Sequence, residues 1–551
     1  MYLRRVTAKG TEYWQLAHNV RDPQSGRPKP IILYNFGRAD QVDKEALRRL
    51  VRSVARFLPP EEQAQIQQQI GAEWPFEYLG SRKLGGPHLL DGLWRRLKID
   101  TTLQGLLAQR GYRTPVERLL FAMVANRALA PSSKLAMEGW VAEEVSIEGL
   151  PEVEVHQLYR AMDFLLEAEE EIQREVFWAI ATLLNLEVDV IFLDTTTTYF
   201  EIEGEDPDGL RRWGRGQEQP RLAQALIGFA VTRGGIPVRC WVWPGNTADA
   251  SVVEEVKRDL NGWKLNRVLL VLDTGFNSAQ NRRILQGAGD HYLIGEKMRL
   301  GPEGRPAQAL GRGGKYRKLP DGLEIKEVIV GGGSPARRRF VIVRNPEEAA
   351  RDRHKRESIL AALQQRLAEL AQLSGQAHTK AACALRAHET FGRYLRQTRT
   401  GRLVIDRARV RRDAKLDGKF LVSSSDDFLP ADDLAYGYKQ LWQIERVHRD
   451  LKHVVDLRPI HHRLEDRIRS HVLLCWLALL LIRVAENETG RTWHQMKQLL
   501  SPIDVGRHRT ANGEVWQVRP LRTEQKDLFQ TLHLDIPPRY LKIQALDRKA
   551  P

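Results

Sequence analysis

Hydrophobic and polar positions alternate with a period of two in TEYWQLAHNV and PIILYNFG, which predicts a small sheet at the start of the chain, followed by a helix over 44–57. From 89 to 186 the apolar spacing changes to three and four, in HLLDGLWRRLKI, VERLLFAMVANRAL and HQLYRAMDFLLEAEEEIQREVFWAIATLL, and amphipathic helices are predicted. At Val188 the pattern returns to strands. VDVIFLDTTTTYFE, LAQALIGFAVT and PVRCWVW read as three consecutive strands joined by short turns. A helix over 250–260, the apolar strand RVLLVLD, the helix SAQNRRILQGA and the strand HYLIGEK follow. Between 300 and 426, glycine-rich and basic strand-like segments flank a long helical stretch at 347–395, and an inserted domain is predicted there. Helical periodicity resumes over 431–484, and a weakly patterned tail closes the chain. The longest apolar run, VLLCWLALLLI at 472–482, is too short to cross a bilayer and is bracketed by His471 and Arg483, so a buried helix is predicted.

The succession βββαβαβ, with one carboxylate on its first strand and another at the end of its fourth, resembles an α/β fold of the ribonuclease-H-like kind. Charge narrows the choice of partner. Lys and Arg number 85 against 70 Asp and Glu, a formal net charge of +15 in 551 residues, which favours a polyanion and points first to nucleic acid. A membrane surface attracts the same charge, but neither an amphipathic anchor nor a lipidation signal is present. The three cysteines, Cys240, Cys383 and Cys475, are too dispersed for a disulfide framework or a zinc cluster, and the opening MYLRRVTAKGTEYW lacks the apolar stretch of a secretory signal. A reducing, cytoplasmic setting is the expectation.

Breaking or transferring a phosphodiester requires a nucleophile at phosphorus and stabilisation of the departing oxygen, which two cations roughly 3.5–4 Å apart supply together. Such hard cations take oxygen ligands, so a few acidic side chains from separate elements suffice. Asp194 lies inside the β-branched run IFLDTTT, where an unpaired charge is costly. Asp273 ends the strand VLLVLD and opens the turn TGFN, at the carboxyl edge where open α/β sheets place their sites. Either aspartate alone reads equally well as a turn or cap residue. In YKQLWQIERVHRDLKHVVDLRPIHHR, Leu441, Ile444, Val447, Leu451, Val454 and Val455 form an apolar stripe, and Tyr438, Glu445 and Lys452 recur at seven-residue spacing along its edge. Glu445 completes the acidic set, with Tyr438 and Lys452 placed to hold a DNA phosphate; alternatively it is a solvated residue paired to Arg449.

FLDTTTTYFE, VLDTGFNSAQNRRIL and YKQLWQIERVHRDLKHVVDLRPIHHRLEDRIRSHVLLCWLALLL together resemble the three catalytic blocks of the insertion-sequence DDE transposases. The likeness is greatest to the group typified by insertion sequence sixteen-thirty-four, within the insertion-sequence-four superfamily; the amino-terminal sheet and ANRALAPSSKLAMEGW resemble that group as well. The resemblance implies Asp194, Asp273 and Glu445 as the catalytic and metal-binding triad, with Mg2+ as cofactor and Mn2+ as a substitute. It implies DNA as partner, both terminal inverted repeats and target, and a homodimer in the DNA complex. The superfamily's third block carries an arginine where this chain has Leu441, so Lys439 or Arg449 would join Tyr438 and Lys452 in contacting DNA. The implied mechanism is nicking at the element ends by activated water, then attack by the freed 3′ hydroxyl.

The domains expected on this reading are a β-rich unit with a helix at 1–75, a helical DNA-binding region at 76–186, the first part of the catalytic core at 187–300, the insertion at 301–425, the core's closing helices at 426–486 and a tail at 487–551. A ribonuclease-H-like nuclease without strand transfer, and a catalytically inactive DNA-binding derivative, are the alternatives. A carboxylate-pair glycosidase fits poorly with so basic a chain. Basic segments at 311–318, 336–344 and 402–415 are DNA-contact candidates or simply solvated faces. Trp241 and Trp243 read as core, and His461-His462 as part of a basic face.

Overall fold

The structure is a computed structural model, and it describes residues 1–21, 28–59, 62–63, 66, 76–112, 115–183, 190–202, 204–214, 222–263, 268–287, 290–299, 304–332, 337–510 and 513–545. The chain divides into two units: 1–80 with 506–517 and 540–551, and 81–505 with 518–539.

In the smaller unit, Tyr2–Ala8, Thr11–Arg21 and Pro28–Arg38 form an antiparallel meander. Its first turn is made by Lys9 and Gly10, both at positive φ (48° and 80°), the geometry that lets a two-residue turn follow the strand twist. Helix Lys44–Ala55 follows, its N-terminus capped by the Asp43 carboxylate, which accepts from the backbone N–H groups of Glu45 and Ala46. A second sheet has the order Tyr540–Ala545, Gly513–Val518, Asp504–Thr510, Phe76–Lys83. Segments from the two ends of the chain thus share a sheet, a pairing that no local pattern in the closing residues reveals.

The larger unit is organised by a ten-stranded sheet. Val190–Tyr199, Leu269–Leu272 and His291–Gly295 run parallel at its centre. On one side of them, Ala223–Thr232 and Pro237–Pro244 continue antiparallel; every residue of Ala223–Thr232 is buried, which explains its unbroken apolar reading. On the other side the order continues through Lys419–Ser424, Arg338–Arg344, Glu324–Val330 and Arg317–Lys318. The strand-like segments within 301–425 therefore extend this sheet. The stretch between Arg338–Arg344 and Lys419–Ser424 leaves it, as helices Pro346–Ala371 and Gly375–Ala387 and a short hairpin, closed on a core of Leu363, Leu370, Tyr394, Leu395 and Leu403.

Helix Glu465–Thr489 carries the apolar run, and every residue of 472–482 is buried. It packs against helices Val116–Leu129 and Val155–Glu167 and strand Pro237–Pro244, and the Trp476 indole N–H donates to the Pro237 carbonyl at 2.9 Å. The helix is a core element. Trp241 and Trp243 are likewise core: their rings stack with centroids 6.1 Å apart, and their N–H groups reach Asp259 (3.0 Å) and Glu255 (2.8 Å).

Candidate active site

Strand register creates the site. Leu193 pairs with Leu272 in the parallel ladder, so the next residue on each segment, Asp194 and Asp273, stands beside the other at the edge where Leu269–Leu272 ends. Neighbouring strands are about 4.8 Å apart, which brings the two carboxylates within reach of shared chemistry. Helix Trp442–His453 lies against strand Val190–Tyr199, burying Ile444, Val447, His448 and Leu451. His448 Nδ1 is 3.6 Å from Asp194 Oδ2, and Glu445 sits one turn earlier on the same helix face.

A fourth acid, which sequence reasoning misses, completes the group. Asp249, in the turn after strand Pro237–Pro244, accepts a 2.6 Å hydrogen bond from the Thr195 hydroxyl, and a Cβ built on Gly275 would come 3.3 Å from its Oδ2. It thus bonds the residue after Asp194 and lies close to Gly275, two residues beyond Asp273. In PGNTADA, Asp249 looks like an ordinary helix-start residue, and only the three-dimensional packing distinguishes it.

The electrostatics follow from this crowding. Burial pushes the Asp194 carboxyl up to about 7, and repulsion from Asp273, Asp249 and Glu445 adds to it against the pull of the Thr195 backbone N–H. Burial takes His448 down to about 3, with Lys452 contributing, so its imidazole is neutral and its approach to Asp194 is not an ion pair. Glu445 pairs with no basic group among the described residues; Arg449 lies 4.0 Å from Asp450 instead. Acidic oxygens that form no ion pair with a lysine or arginine among the described residues suit divalent cations. Among the described residues no three His, Cys, Asp or Glu side chains come close enough together to hold one ion, so Asp194, Asp273 and Glu445 do not form a closed metal cage.

Tyr438 departs from the single-helix reading. It belongs to helix Ala431–Lys439, whereas Glu445 and Lys452 belong to Trp442–His453. Between them the backbone tightens to i−3 bonding, with Leu441 N to Tyr438 O at 3.1 Å and Gln443 N to Gln440 O at 2.9 Å. Glu445 therefore occupies the first turn of its helix, where the dipole favours a carboxylate. The Tyr438 hydroxyl donates to Asp273 Oδ1 at 3.2 Å; burial and that carboxylate hold the phenol well above its ordinary value, so it remains a donor.

The other predicted contacts are dispersed. Lys439 reaches Asp321 at 3.4 Å, Arg449 is exposed, and burial lowers the Lys452 ammonium below its ordinary value. In the basic segment 336–344, Arg337, Arg338, Arg339 and Arg344 are each answered by a carboxylate. His462 is not part of a basic face: it packs on Tyr159 and His471, and burial beside Lys134 and Arg467 takes it down to about 4, leaving it neutral.

The family model described as "Transposase DDE domain" matches residues 189–481, and that described as "IS1634 family transposase, N-terminal domain" matches residues 3–65. The chain belongs to the DDE transposases, of the IS1634 type. This transposase is a DNA-transposing enzyme of the polynucleotidyl-transferase kind, and DDE domains generally use divalent metal ions. Among solved structures it is similar to the piggyBac transposase synaptic complex with hairpin DNA, at 9% identity and a TM-score of 0.34 over 76% of this chain and 80% of that one. It is also similar to the Mos1 transposase paired-end complex with left transposon end, at 13% identity and a TM-score of 0.15 over 45% and 71%. A comparison with curated protein sequences finds no match.

Gly295 is a sensitive point in the transposase. A Cβ there would land on the Tyr438 hydroxyl and come within 2.9 Å of Thr274 Cγ2. Gly295→Ala is expected to push Tyr438 off Asp273 and lower DNA cleavage about 10- to 100-fold, the range seen when a group that orients an active-site carboxylate is lost. Tyr438→Phe removes the nearest colliding atom but leaves the ring carbon and Thr274 Cγ2 at 2.9 Å, so adding it to Gly295→Ala should relieve part of the clash, and a double-mutant cycle on cleavage rates should show less than additive losses.

Proposed function

We propose that this transposase cuts DNA at the ends of its element and joins the freed 3′ hydroxyls to target DNA, with Asp194, Asp273 and Glu445 holding a pair of Mg2+ ions for which Mn2+ can substitute. The observation that carries this reading is the meeting of the two aspartates through strand register, beneath a helix that brings Glu445 to the same sheet edge. The order of strands from Val190 to Gly295, with its parallel centre and antiparallel flank, supports a ribonuclease-H-like core. Bound there, the cations supply Lewis-acid activation of the attacking oxygen and charge stabilisation at the leaving one. The protein's own part is positional. Tyr438 orients Asp273 through its hydroxyl, Asp249 fixes Thr195 beside Asp194, and neutral His448 walls the site without cancelling its negative charge. The excess of 85 basic over 70 acidic residues supports binding of both end and target DNA, with two subunits pairing the ends.

The test is a reaction of the purified protein with Mg2+, a donor carrying the element ends and a supercoiled target. Cleaved ends together with joined product are expected. Cleavage without joining would assign the chain to nucleases, and intact DNA under conditions where the protein binds it would overturn the reading.

A further inference from the structure

Next to the candidate site, the turn and helix that follow Asp273 line a cavity of about 740 Å³, and a second cavity of about 440 Å³ adjoins it. The two share Thr274, Glu296 and Lys297, and the smaller one is also bounded by Tyr438, the residue bonded to Asp273. Both cavities therefore lie beside Thr274, the residue that follows Asp273.

That space is lined by cations. Arg337 and Arg338 already have partners, Asp427 at 2.5 Å and Glu296 at 2.9 Å, and Glu296 is further occupied by the Ser423 hydroxyl at 2.7 Å. Arg282, Lys297 and Arg305 form no ion pair with a carboxylate among the described residues; Arg282 donates only to the Asn277 side-chain oxygen. Burial holds Arg282 below its ordinary value, with Arg338 and Arg305 adding to it against the pull of Glu296 and Tyr292. None of these three lies in the basic runs visible along the sequence; separate elements bring them together.

A cation-lined space that lies beside the acidic centre, and whose carboxylate is already spent on other partners, calls for an anion that extends to that centre. We infer that Arg282, Lys297 and Arg305 form a seat for the phosphodiester backbone of the DNA strand next to the bond being cut or joined. The inference rests on Asp273 belonging to the reactive centre, as proposed above. The strand is either that of the element end or that of the target; both offer the same phosphodiester.

Binding in EDTA separates this question from catalysis. Duplexes representing an element end with its flank, and a target duplex, are prepared with single methylphosphonates, each removing one backbone charge. The intact chain is expected to lose about tenfold in affinity when a phosphate beside the reacting bond is neutralised. Arg282→Gln with Arg305→Gln should show the same loss on unmodified DNA, a shallower salt dependence, and no further loss from that methylphosphonate, while Arg282→Lys with Arg305→Lys retains most of the affinity. Loss of sensitivity on one duplex alone identifies which strand is seated. Should the glutamine variant keep the parent's methylphosphonate profile on both duplexes, the seat does not exist. If instead the profile changes as expected while Asp194→Asn still cleaves, the backbone seat stands and the catalytic reading fails.

Discussion

Asp194→Asn is expected to leave the transposase folded and able to bind DNA, yet to reduce cleavage of element-end DNA by on the order of a thousandfold. The substitution keeps the shape of the side chain and removes the negative oxygen that a cation needs. It also removes a carboxyl that burial and its acidic neighbours push up to about 7, so thermal stability without metal should hold or rise. The metal-induced rise in melting temperature should vanish with the activity. Asp249→Asn is expected to behave differently, with a loss of about 10- to 100-fold, because Asp249 acts through Thr195 and through the charge balance of the group. Single-turnover cleavage and manganese titration of both variants will distinguish the two roles; equal, complete loss in both would make Asp249 a direct ligand. Unchanged cleavage by Asp194→Asn would remove the catalytic centre from this place.

The acidic centre is partly legible in the sequence because two of its members mark strand positions that local pattern reveals. Asp194 interrupts a β-branched run and Asp273 ends an apolar one, so each stands out from the order of residues alone. Glu445 is marked by its spacing on an amphipathic helix, although the break at Gln440 and Leu441 is not, since apolar periodicity passes through a tightened turn unaltered. Asp249 and the cation seat carry no such mark, for a different reason. Asp249 becomes special only through Thr195 and Gly275, and Arg282, Lys297 and Arg305 only through the helix, loop and sheet edge that bring them together. The same limit applies to the fold. Strands Glu324–Val330, Arg338–Arg344 and Lys419–Ser424 are readable as strands, but their joining to His291–Gly295 depends on long-range pairing that the segments do not encode locally.

The helix bearing Glu445 is tied to the core by a buried charge network whose disruption is expected to have the largest effect on stability. Arg483, only 2% exposed, reaches Asp450 at 2.6 Å and Glu486 at 2.7 Å, and Arg446 reaches Glu486 at 2.8 Å. Glu486 also accepts the Trp493 backbone N–H at 2.8 Å, so the network links helix Trp442–His453, helix Glu465–Thr489 and the helix that follows. Burial outweighs attraction here. It lowers Arg483 and raises Asp450 from their ordinary values even though they are partners, so the intact network adds little net stability. Breaking it is another matter, because Arg483→Met leaves Glu486 to Arg446 and leaves Asp450 with only the longer 4.0 Å contacts to Arg446 and the exposed Arg449. A destabilisation of about 3–5 kcal/mol is expected, with faster amide exchange along Trp442–His453 and a loss of cleavage as Glu445 loses its support. Combining Arg483→Met with Asp450→Leu removes one of the stranded charges and should recover part of that loss. Unchanged exchange in Arg483→Met would mean that apolar packing alone, through Ile444, Val447 and Leu451, holds the helix on the sheet.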